Sequence, residues 1–484
     1  MNYKNASYIL IAGLSLLRLL YINTFPLLGD EAYYWQWSRH LDFGYYEQGP
    51  VLAFVIWIFT FFGTITSVFT IRLGAVVLSA ITMLITLRIC SNANPSDKDG
   101  KTGFLTLLIL NSAVIYSAGA VLMMHDTVMV FFLSLFMWQM SRVIEYPSKT
   151  WGWALAGVLL ALGVMSKYTM GTLYFCVLFF IIISPQGFKN YIKGFAVFTL
   201  FFILFLSPVI YWNLTHDFST LHYLLGRKGT SSSFTLKHFG ELIGGQIALN
   251  SPLMIVFYAA GIIAALKTAG SPYKRFLAFI FIVSITPYIF LSLKNRVEAN
   301  WPAYTFLPLF ILAGAYISGL KKQPRFFAPA LGFGAITVIA THLLLSGSLP
   351  LPPKSDPMRK ASGFRELALS VKSFAGSLPS SENTLFFTSA YYQHASLLSF
   401  YYPGRPVFYI TRIDEAAKNY RFWRNFEGFS GHDSLFVWSE NHEFDNMKLL
   451  FSGYGETREF PVIHRGKEIR RFKITHMKGY GSQK

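Results

Sequence analysis

The chain has 484 residues, 53% of them hydrophobic and only 14% charged, with a mean hydropathy of +0.41. Long apolar runs recur along it, which excludes an ordinary soluble enzyme, since a run of about 18 nearly uncharged residues is what crosses a hydrocarbon core roughly 30 Å thick. The net charge of +18 does not indicate a nucleic-acid partner, because the basic residues are scattered between apolar runs and not gathered on one face.

The first run, Tyr8–Ile22, follows Lys4 and has no small-residue cleavage site before Leu27-Leu28-Gly29-Asp30. It is therefore expected to be a retained first span and not a removed signal peptide. About eleven spans are expected, near residues 7–24, 70–90, 103–122, 126–142, 151–166, 168–185, 193–212, 251–267, 275–293, 301–319 and 326–345. Alternate connections carry Lys98 and Lys101, Arg142 and Lys149, Lys189 and Lys193, Lys267, Lys274 and Arg275, and Lys321, Lys322 and Arg325. Together with Lys4 these cations assign one side as cytoplasmic. The apolar stretch Val51–Thr66 breaks that pattern if it spans, so it is expected to lie as a re-entrant or interfacial helix at the outer surface. Cys90 and Cys176, the only cysteines, sit at or within apolar runs and exclude a cysteine-based zinc site.

The outer side then receives a first loop 25–69, short turns near His125 and Lys167, a loop 213–250, the turn 294–300 and everything after about residue 346. The expected fold is a polytopic α-helical membrane domain over 1–348 and a small soluble α/β or α+β domain over 349–484, joined by the Pro-rich linker Leu349–Pro353. In that second domain Arg359–Phe374 reads as a helix. Thr384–Thr388, Val407–Ile410, Ser434–Trp438 and Ile469–Ile474 read as strands.

Ionisable groups at the outer ends of spans carry the functional signal, because charge at such depth is costly and usually has a role. Asp30-Glu31 stand beside Tyr33, Tyr34 and Trp35. A carboxylate can take a proton from an attacking hydroxyl, and aromatic faces stack on sugar rings. Asp30 also suits a helix start before Ala32. His125-Asp126 open the fourth span, where Asp126 again suits a helix start and His125 an interfacial position. A divalent metal on His125, Asp126 and Asp30 is conceivable, but no cofactor is required. Lys167-Tyr168 place a cation against the charge rule, which fits either a phosphate partner or a snorkelling lysine. Lys294, Arg296 and Glu298 precede Trp301-Pro302. Trp301 also fits a membrane-belt aromatic and Pro302 a first helical turn. Carboxylates, cations and aromatics on one surface suit a phosphate-bearing lipid and a sugar better than a transporter, whose charges sit near mid-membrane.

At these residues the sequence resembles the GT-C membrane glycosyltransferases, in the branch of bacterial aminoarabinose transferases and dolichyl-phosphate-mannose protein mannosyltransferases. Asp30-Glu31 is similar to that family's acidic motif in the first outer loop. Tyr45-Tyr46-Glu47-Gln48-Gly49-Pro50-Val51-Leu52 resembles its second loop motif, usually Glu-Lys-Pro-Pro-Leu. Arg72-Leu73, His125-Asp126, Ser166-Lys167-Tyr168 and Glu298-Ala299-Asn300-Trp301-Pro302 match the bacterial branch in order and placement. The resemblance spans about residues 7–320. Gln48 stands where the family often has a phosphate-binding lysine, and Gly49 replaces a proline.

The resemblance implies a GT-C-like fold and inverting transfer of a sugar from a polyprenyl-phosphate donor on the periplasmic face of a bacterial inner membrane. The acceptor implied is an envelope molecule: lipid A, another glycolipid or polysaccharide, or protein. It implies Asp30 as the base, and Glu31, Glu47, Asp126 and Glu298 are expected to be sugar, acceptor or orienting contacts. Lys167, Lys294 and Arg296 take the donor phosphate, and Tyr33, Tyr34 and Trp301 give stacking surface. The aminoarabinose donor itself does not carry over, given Gln48 and Gly49. A transporter or lipid-linked saccharide flippase, a saccharide polymerase or ligase, and a non-catalytic scaffold are the competing classes. The C-terminal domain, with Tyr391-Tyr392 and Tyr401-Tyr402, is expected to cover the outer opening, as an acceptor-binding element or a passive cap.

Overall fold

The structure, a computed structural model, describes residues 2–184, 188–226, 234–267, 271–349, 351–353, 355–378, 385–410, 415–423 and 427–481. Its first helices are α1 (Tyr3–Tyr21), α2 (Gly29–Arg39), α3 (Val51–Phe59), α4 (Val68–Ala93), α5 (Lys101–Asn111) and α6 (Val114–Gly119). Next come α7 (His125–Glu145), α8 (Thr150–Ser166), α9 (Thr172–Ile183), α10 (Phe188–Thr215), α11 (Ser219–Gly226) and α12 (Leu236–Leu249). The helical part closes with α13 (Ile255–Lys267), α14 (Pro272–Ser292), α15 (Leu307–Ser318) and α16 (Phe327–Leu345). The C-terminal part holds α17 (Phe364–Ser377), β1 (Leu385–Ser389), α18 (Tyr392–Tyr401), β2 (Phe408–Ile410), β3 (Asp433–Trp438), α19 (Asn441–Lys448), β4 (Phe451–His464) and β5 (Lys467–Tyr480).

Each of the eleven stretches expected to span is largely helical, but the helices differ in length. Five of them, α4, α7, α10, α14 and α16, are long and apolar enough to cross a membrane. A sixth arises if α12 and Pro252–Lys267, bent by 95° at their junction, form one broken span. Lys101–Asn111, Thr150–Ser166, Tyr168–Ile183 and Ala303–Ser318 are apolar but shorter. The single span expected at 103–122 is instead two helices, because Ala113 adopts extended backbone (φ −91°, ψ 121°) between α5 and α6. The apolar stretch Val51–Thr66 yields only α3, nine residues long. At 1.5 Å per residue it is about 14 Å long, half of a hydrocarbon core. Phe61 and Phe62, at φ 52° and 59°, end it in left-handed backbone.

The chain forms two compact units, one of residues 1–23 and 41–342 and the other of residues 24–40 and 343–484. The first outer loop, grouped as 25–69 with the membrane part from sequence, is thus divided: α2 clusters with the C-terminal residues and α3 with the bundle. The bundle is built on one extended apolar core running from Ile11 through Phe136, Trp153 and Phe198 to Phe310 and Ala330. Buried polar contacts fix α1 within it. Arg18 donates to Asn111 Oδ1 at 2.6 Å, and Arg72, fully buried, donates to the Ile22 carbonyl at 2.9 Å. The second bond satisfies a carbonyl that the end of α1 leaves without a helical partner.

In the other unit a five-stranded mixed sheet has the order β2-β1-β3-β5-β4. β1 runs parallel to β2 and β3, with Thr388 opposite Tyr409 and Phe436, while β5 is antiparallel to both β3 and β4. The β4–β5 hairpin turns on Arg465-Gly466, at φ 51° and 75°, the left-handed pair that a two-residue hairpin needs. The strands expected at Val407–Ile410, Ser434–Trp438 and Ile469–Ile474 fall within or beside β2, β3 and β5. Thr384, where the first expected strand opens, and Pro350 of the linker lie outside the described residues. The helix expected at Arg359–Phe374 starts later, as α17, because Gly363 at φ +81° separates it from the turn Pro357–Lys360. α2 packs on α18 in this unit.

Candidate functional site

In the bundle, three short segments converge. α7 begins at His125 after an extended Met124, so Asp126 lies in its first turn, where the exposed amide groups favour an anion. α8 ends at Ser166, and Lys167 follows in extended backbone (φ −154°). Lys167 Nζ meets Asp126 Oδ1 at 2.6 Å, with side-chain exposures of 8% and 24%. His125 donates from Nδ1 to the Ser166 carbonyl at 2.8 Å. The two sequence motifs thus hold one another through an ion pair and a charge-free hydrogen bond.

The loop motif 45–50 joins them. Gln48 Oε1 accepts the Tyr168 amide at 3.1 Å, so the side chain standing in place of the family's lysine fastens the Lys167 turn. Gly49 is needed there: a Cβ on it would lie 2.3 Å from the Met165 carbonyl oxygen. Glu47 Oε1 accepts the Tyr223 hydroxyl at 3.2 Å, and Thr220 donates to the Tyr45 carbonyl at 3.2 Å. Tyr46 packs on Tyr223 with ring centroids 4.9 Å apart. Asp42 accepts the Trp212 indole at 2.9 Å. Thr220 and Tyr223 of α11, and Trp212 near the end of α10, were not singled out from sequence. Nothing in the sequence pattern marked Thr220, and Tyr223 and Trp212 were two aromatics among many.

The turn before α15 arrives from the other direction. Tyr304 donates to the Thr169 carbonyl at 3.0 Å and meets the Thr172 hydroxyl at 2.9 Å, which brings the segment after Trp301-Pro302 to the Lys167 turn. Trp301 is half-buried, and its carbonyl accepts the Tyr288 hydroxyl at 3.2 Å. Lys294, Arg296 and Glu298 are exposed. Arg296 pairs with Glu298 at 3.4 Å, a surface contact of small energetic weight. Lys167 is therefore the buried cation of the set, and Lys294 and Arg296 stand in solvent.

Asp30 and Glu31 belong to the other unit and differ in their surroundings. Glu31 is fully buried and accepts the Leu28 amide at 3.1 Å, so its carboxylate caps the start of α2 from the first turn. Asp30 is partly exposed, and its Oδ1 accepts Gln393 Nε2 at 2.8 Å and the Tyr392 hydroxyl at 3.3 Å. Gly29 permits that approach, since a Cβ on it would lie 2.9 Å from the Gln393 Cβ. Tyr33 is 1% exposed, receives the Asn419 amide at 2.8 Å, and lies against Tyr392, Tyr420 and Trp37. Of the two neighbouring tyrosines, Tyr34 keeps part of its surface open. Gln393 gave no signal in the sequence, because α18 is rich in aromatic residues and its helical period is weak.

Among the described residues one group could hold a metal through three ligands, Glu440, His442 and Glu443. Glu443 Oε2 already accepts the Ser439 and Glu440 amides at 2.9 and 3.2 Å as the helix-capping carboxylate of α19. The His125–Asp126 pair considered from sequence is not part of such a group, its side chains being directed to Ser166 and Lys167.

The sequence model of the family described as dolichyl-phosphate-mannose-protein mannosyltransferase matches residues 47–212, the stretch holding the loop 45–50 motif, His125-Asp126 and Lys167. A lipid A galacturonosyltransferase, RgtD, of Rhizobium johnstonii is 21% identical over 379 residues, covering 76% of this chain and 77% of the relative. Crystal structures of ArnT from Cupriavidus metallidurans share the fold end to end. The form bound to undecaprenyl phosphate aligns over 97% of both chains at a TM-score of 0.66 and 12% identity. The apo form aligns over 98% of both at 0.66 and 13%. The family model thus matches the segment 47–212, and the two crystal structures show that the fold of the whole chain is shared with ArnT.

Proposed function

We propose that the chain is an inverting glycosyltransferase that moves a sugar from a polyprenyl-phosphate donor to an envelope acceptor at the periplasmic face of a bacterial inner membrane. The observation that carries this reading is the buried Lys167–Asp126 pair, held by His125, Ser166 and Gln48. A nearly buried cation at the end of a bundle, fixed by a carboxylate and with ammonium hydrogens to spare, is suited to a phosphate oxygen. The reading also draws support from the lipid A galacturonosyltransferase relative and from the undecaprenyl phosphate bound by the ArnT of like fold.

In the proposed reaction the acceptor oxygen attacks the anomeric carbon as the bond from that carbon to the phosphate oxygen breaks. Asp30 takes the acceptor's proton, and polyprenyl phosphate leaves with inversion at carbon. Lys167 stabilises the charge that develops on the departing phosphate. Lys294 and Arg296, exposed in the resting structure, supply further positive charge to the approaching donor. Glu47 and Glu298 orient sugar hydroxyls, Asp126 orients Lys167, and Tyr34 and Trp301 offer the stacking surface. The acceptor class we favour is a glycolipid of the lipid A kind.

The test is comparison of envelope lipids and glycans from deletion and wild-type cells by mass spectrometry, with purified protein assayed on polyprenyl-phosphate sugars. A glycan lost from the deletion strain and restored by the wild-type gene, but not by one carrying Asp30→Asn or Lys167→Ala, supports the reading. Identical envelope glycomes in the two strains, together with ion-coupled uptake by the purified protein, would replace it with the transporter class.

A further inference from the structure

We propose that a groove among α4, α7 and α8, at the opposite end of these helices from His125 and Lys167, binds the headgroup of an anionic glycerophospholipid. The groove encloses about 690 Å³, within the roughly 300–1,000 Å³ of small-ligand sites. Three cations line it, Arg88, Arg142 and Lys149, against the single carboxylate of Glu145. Among the described residues none of the three cations has an ion-pair partner. This end of the bundle is the one that the distribution of Lys and Arg assigns to the cytoplasm.

The walls are built before any ligand arrives. Asn92 donates to the Ser141 hydroxyl at 2.7 Å and ties α4 to α7. Gln139 donates to the Gly152 carbonyl at 2.9 Å and ties α7 to α8. The Arg142 guanidinium sits 4.3 Å from the Trp138 ring centroid, and Lys149 Nζ sits 4.5 Å from that of Tyr146. These contacts hold both cations in place without neutralising them.

A lipid fits these walls better than a free anion. The groove opens at the ends of α4 and α7, two helices long and apolar enough to span. Trp151, 58% exposed, and Trp138 are aromatics of the kind that sit at headgroup depth. Leu84, 41% exposed, continues the lining toward the apolar part of α4, where an acyl chain would run. Inorganic phosphate satisfies the cations but leaves the apolar lining and most of the volume unused. Basic pockets between spanning helices on the cytoplasmic side are a recurrent solution for anionic headgroups.

The test uses the full chain in phosphatidylcholine nanodiscs doped with phosphatidylglycerol, with retained lipid counted by native mass spectrometry. The wild type is expected to prefer phosphatidylglycerol by about tenfold, and the triple variant Arg88→Gln, Arg142→Gln, Lys149→Gln to prefer it by less than about twofold. Lys321→Gln, Lys322→Gln, Arg325→Gln removes the same charge at the same end from residues that do not line the groove, and is expected to keep the full preference. If the triple variant does not fold, Arg142→Gln alone carries the test, with an expected loss of about threefold. Absence of a preference in the wild type, its survival in the groove variant, or an equal loss in the control variant each overturns the proposal. Displacement of the lipid by millimolar inorganic phosphate overturns it too, in favour of a plain phosphate site.

Discussion

Gln393 donates from Nε2 to Asp30 Oδ1 at 2.8 Å, and the Tyr392 hydroxyl adds a second, longer bond to the same oxygen at 3.3 Å. Two donors from α18 thus fix one oxygen of the proposed base and leave Oδ2 to receive a proton. In the proposed mechanism the C-terminal unit would bear on the chemistry through these two bonds to Asp30. Asp30→Asn is expected to lower kcat by about 10²–10⁴-fold, the usual contribution of one positioned base. Gln393→Leu is expected to lower kcat by about tenfold with donor KM unchanged, since it disturbs orientation and not binding. Gln393→Asn tests geometry at constant chemistry. Steady-state assays with separate variation of donor and acceptor check all three. Wild-type turnover in Asp30→Asn removes the base, whereas a silent Gln393→Leu beside an inactive Asp30→Asn removes only the positioning role.

Lys167 and Asp126 make the second pair, at 2.6 Å and mostly out of solvent. Lys167→Ala is expected to reduce transfer by at least about 100-fold, the scale of one preorganised charge contact to a developing anion. Lys167→Arg keeps the charge but not the compact ammonium and should recover part of the loss. Asp126→Ala leaves the ammonium without its counter-ion and should lower stability by about 2 kcal/mol. The double variant should be less destabilised than the two single losses summed, because each single change strands the other charge. Thermal unfolding in detergent, run alongside activity, separates the catalytic effect from the structural one.

How much of this was legible in the sequence varies with the kind of signal. Charge and hydropathy along the chain located the helical stretches, because both act over many residues at once. They did not reveal that 103–122 breaks at Ala113 or that 25–69 divides between the two units, since both depend on tertiary contacts. The motifs His125-Asp126, Ser166-Lys167 and Glu47-Gln48 were readable one by one, and the bonds among them required the fold. Burial was not readable. Glu31 and Tyr33 look like site residues beside Asp30, yet one caps α2 and the other lies inside the C-terminal unit. β4 escaped notice because Gly453, Gly455 and Pro461 interrupt it and its polar and apolar residues do not alternate cleanly.

Gly49 offers a test of the loop packing that is independent of charge. A Cβ at this position would meet the Met165 backbone, with the carbonyl oxygen at 2.3 Å and the Cα at 2.6 Å. Backbone cannot rotate aside as a side chain can, so the loop 45–50 must shift. Gly49→Ala is expected to cost about 1–3 kcal/mol of stability, the range for overpacking. It should also break the Gln48–Tyr168 bond and lower transfer along with it. Pro is the family's residue here, but Gly49→Pro carries the same Cβ into Met165 and should fare no better. A melting temperature within a degree of wild type in both variants contradicts this packing.

His394 sets an acid limit on the C-terminal unit. Its ring lies among Phe364, Tyr391 and Phe472, and its Nε2 accepts Arg470 Nη1 at 3.2 Å. Burial first, and then the neighbouring Arg470, push its pKa from 6.5 down to about 3. Between about pH 3 and 6.5 the unfolded chain binds a proton that the folded one refuses. Stability is therefore expected to fall as pH drops below about 6.5, by up to about 1.4 kcal/mol per pH unit from this group alone. His394→Gln removes the titrating group and should flatten that limb. Denaturant unfolding of the full chain from pH 8 to 5, read by tryptophan fluorescence, checks it. A wild-type stability that stays level from pH 7 to 5, or an acid limb unchanged in His394→Gln, rules out His394 as its source. Because Gln393 adjoins His394 on α18, loss of this packing should also release Asp30. Transfer activity in the wild type should then decline over the same pH range, and more gradually in the glutamine variant.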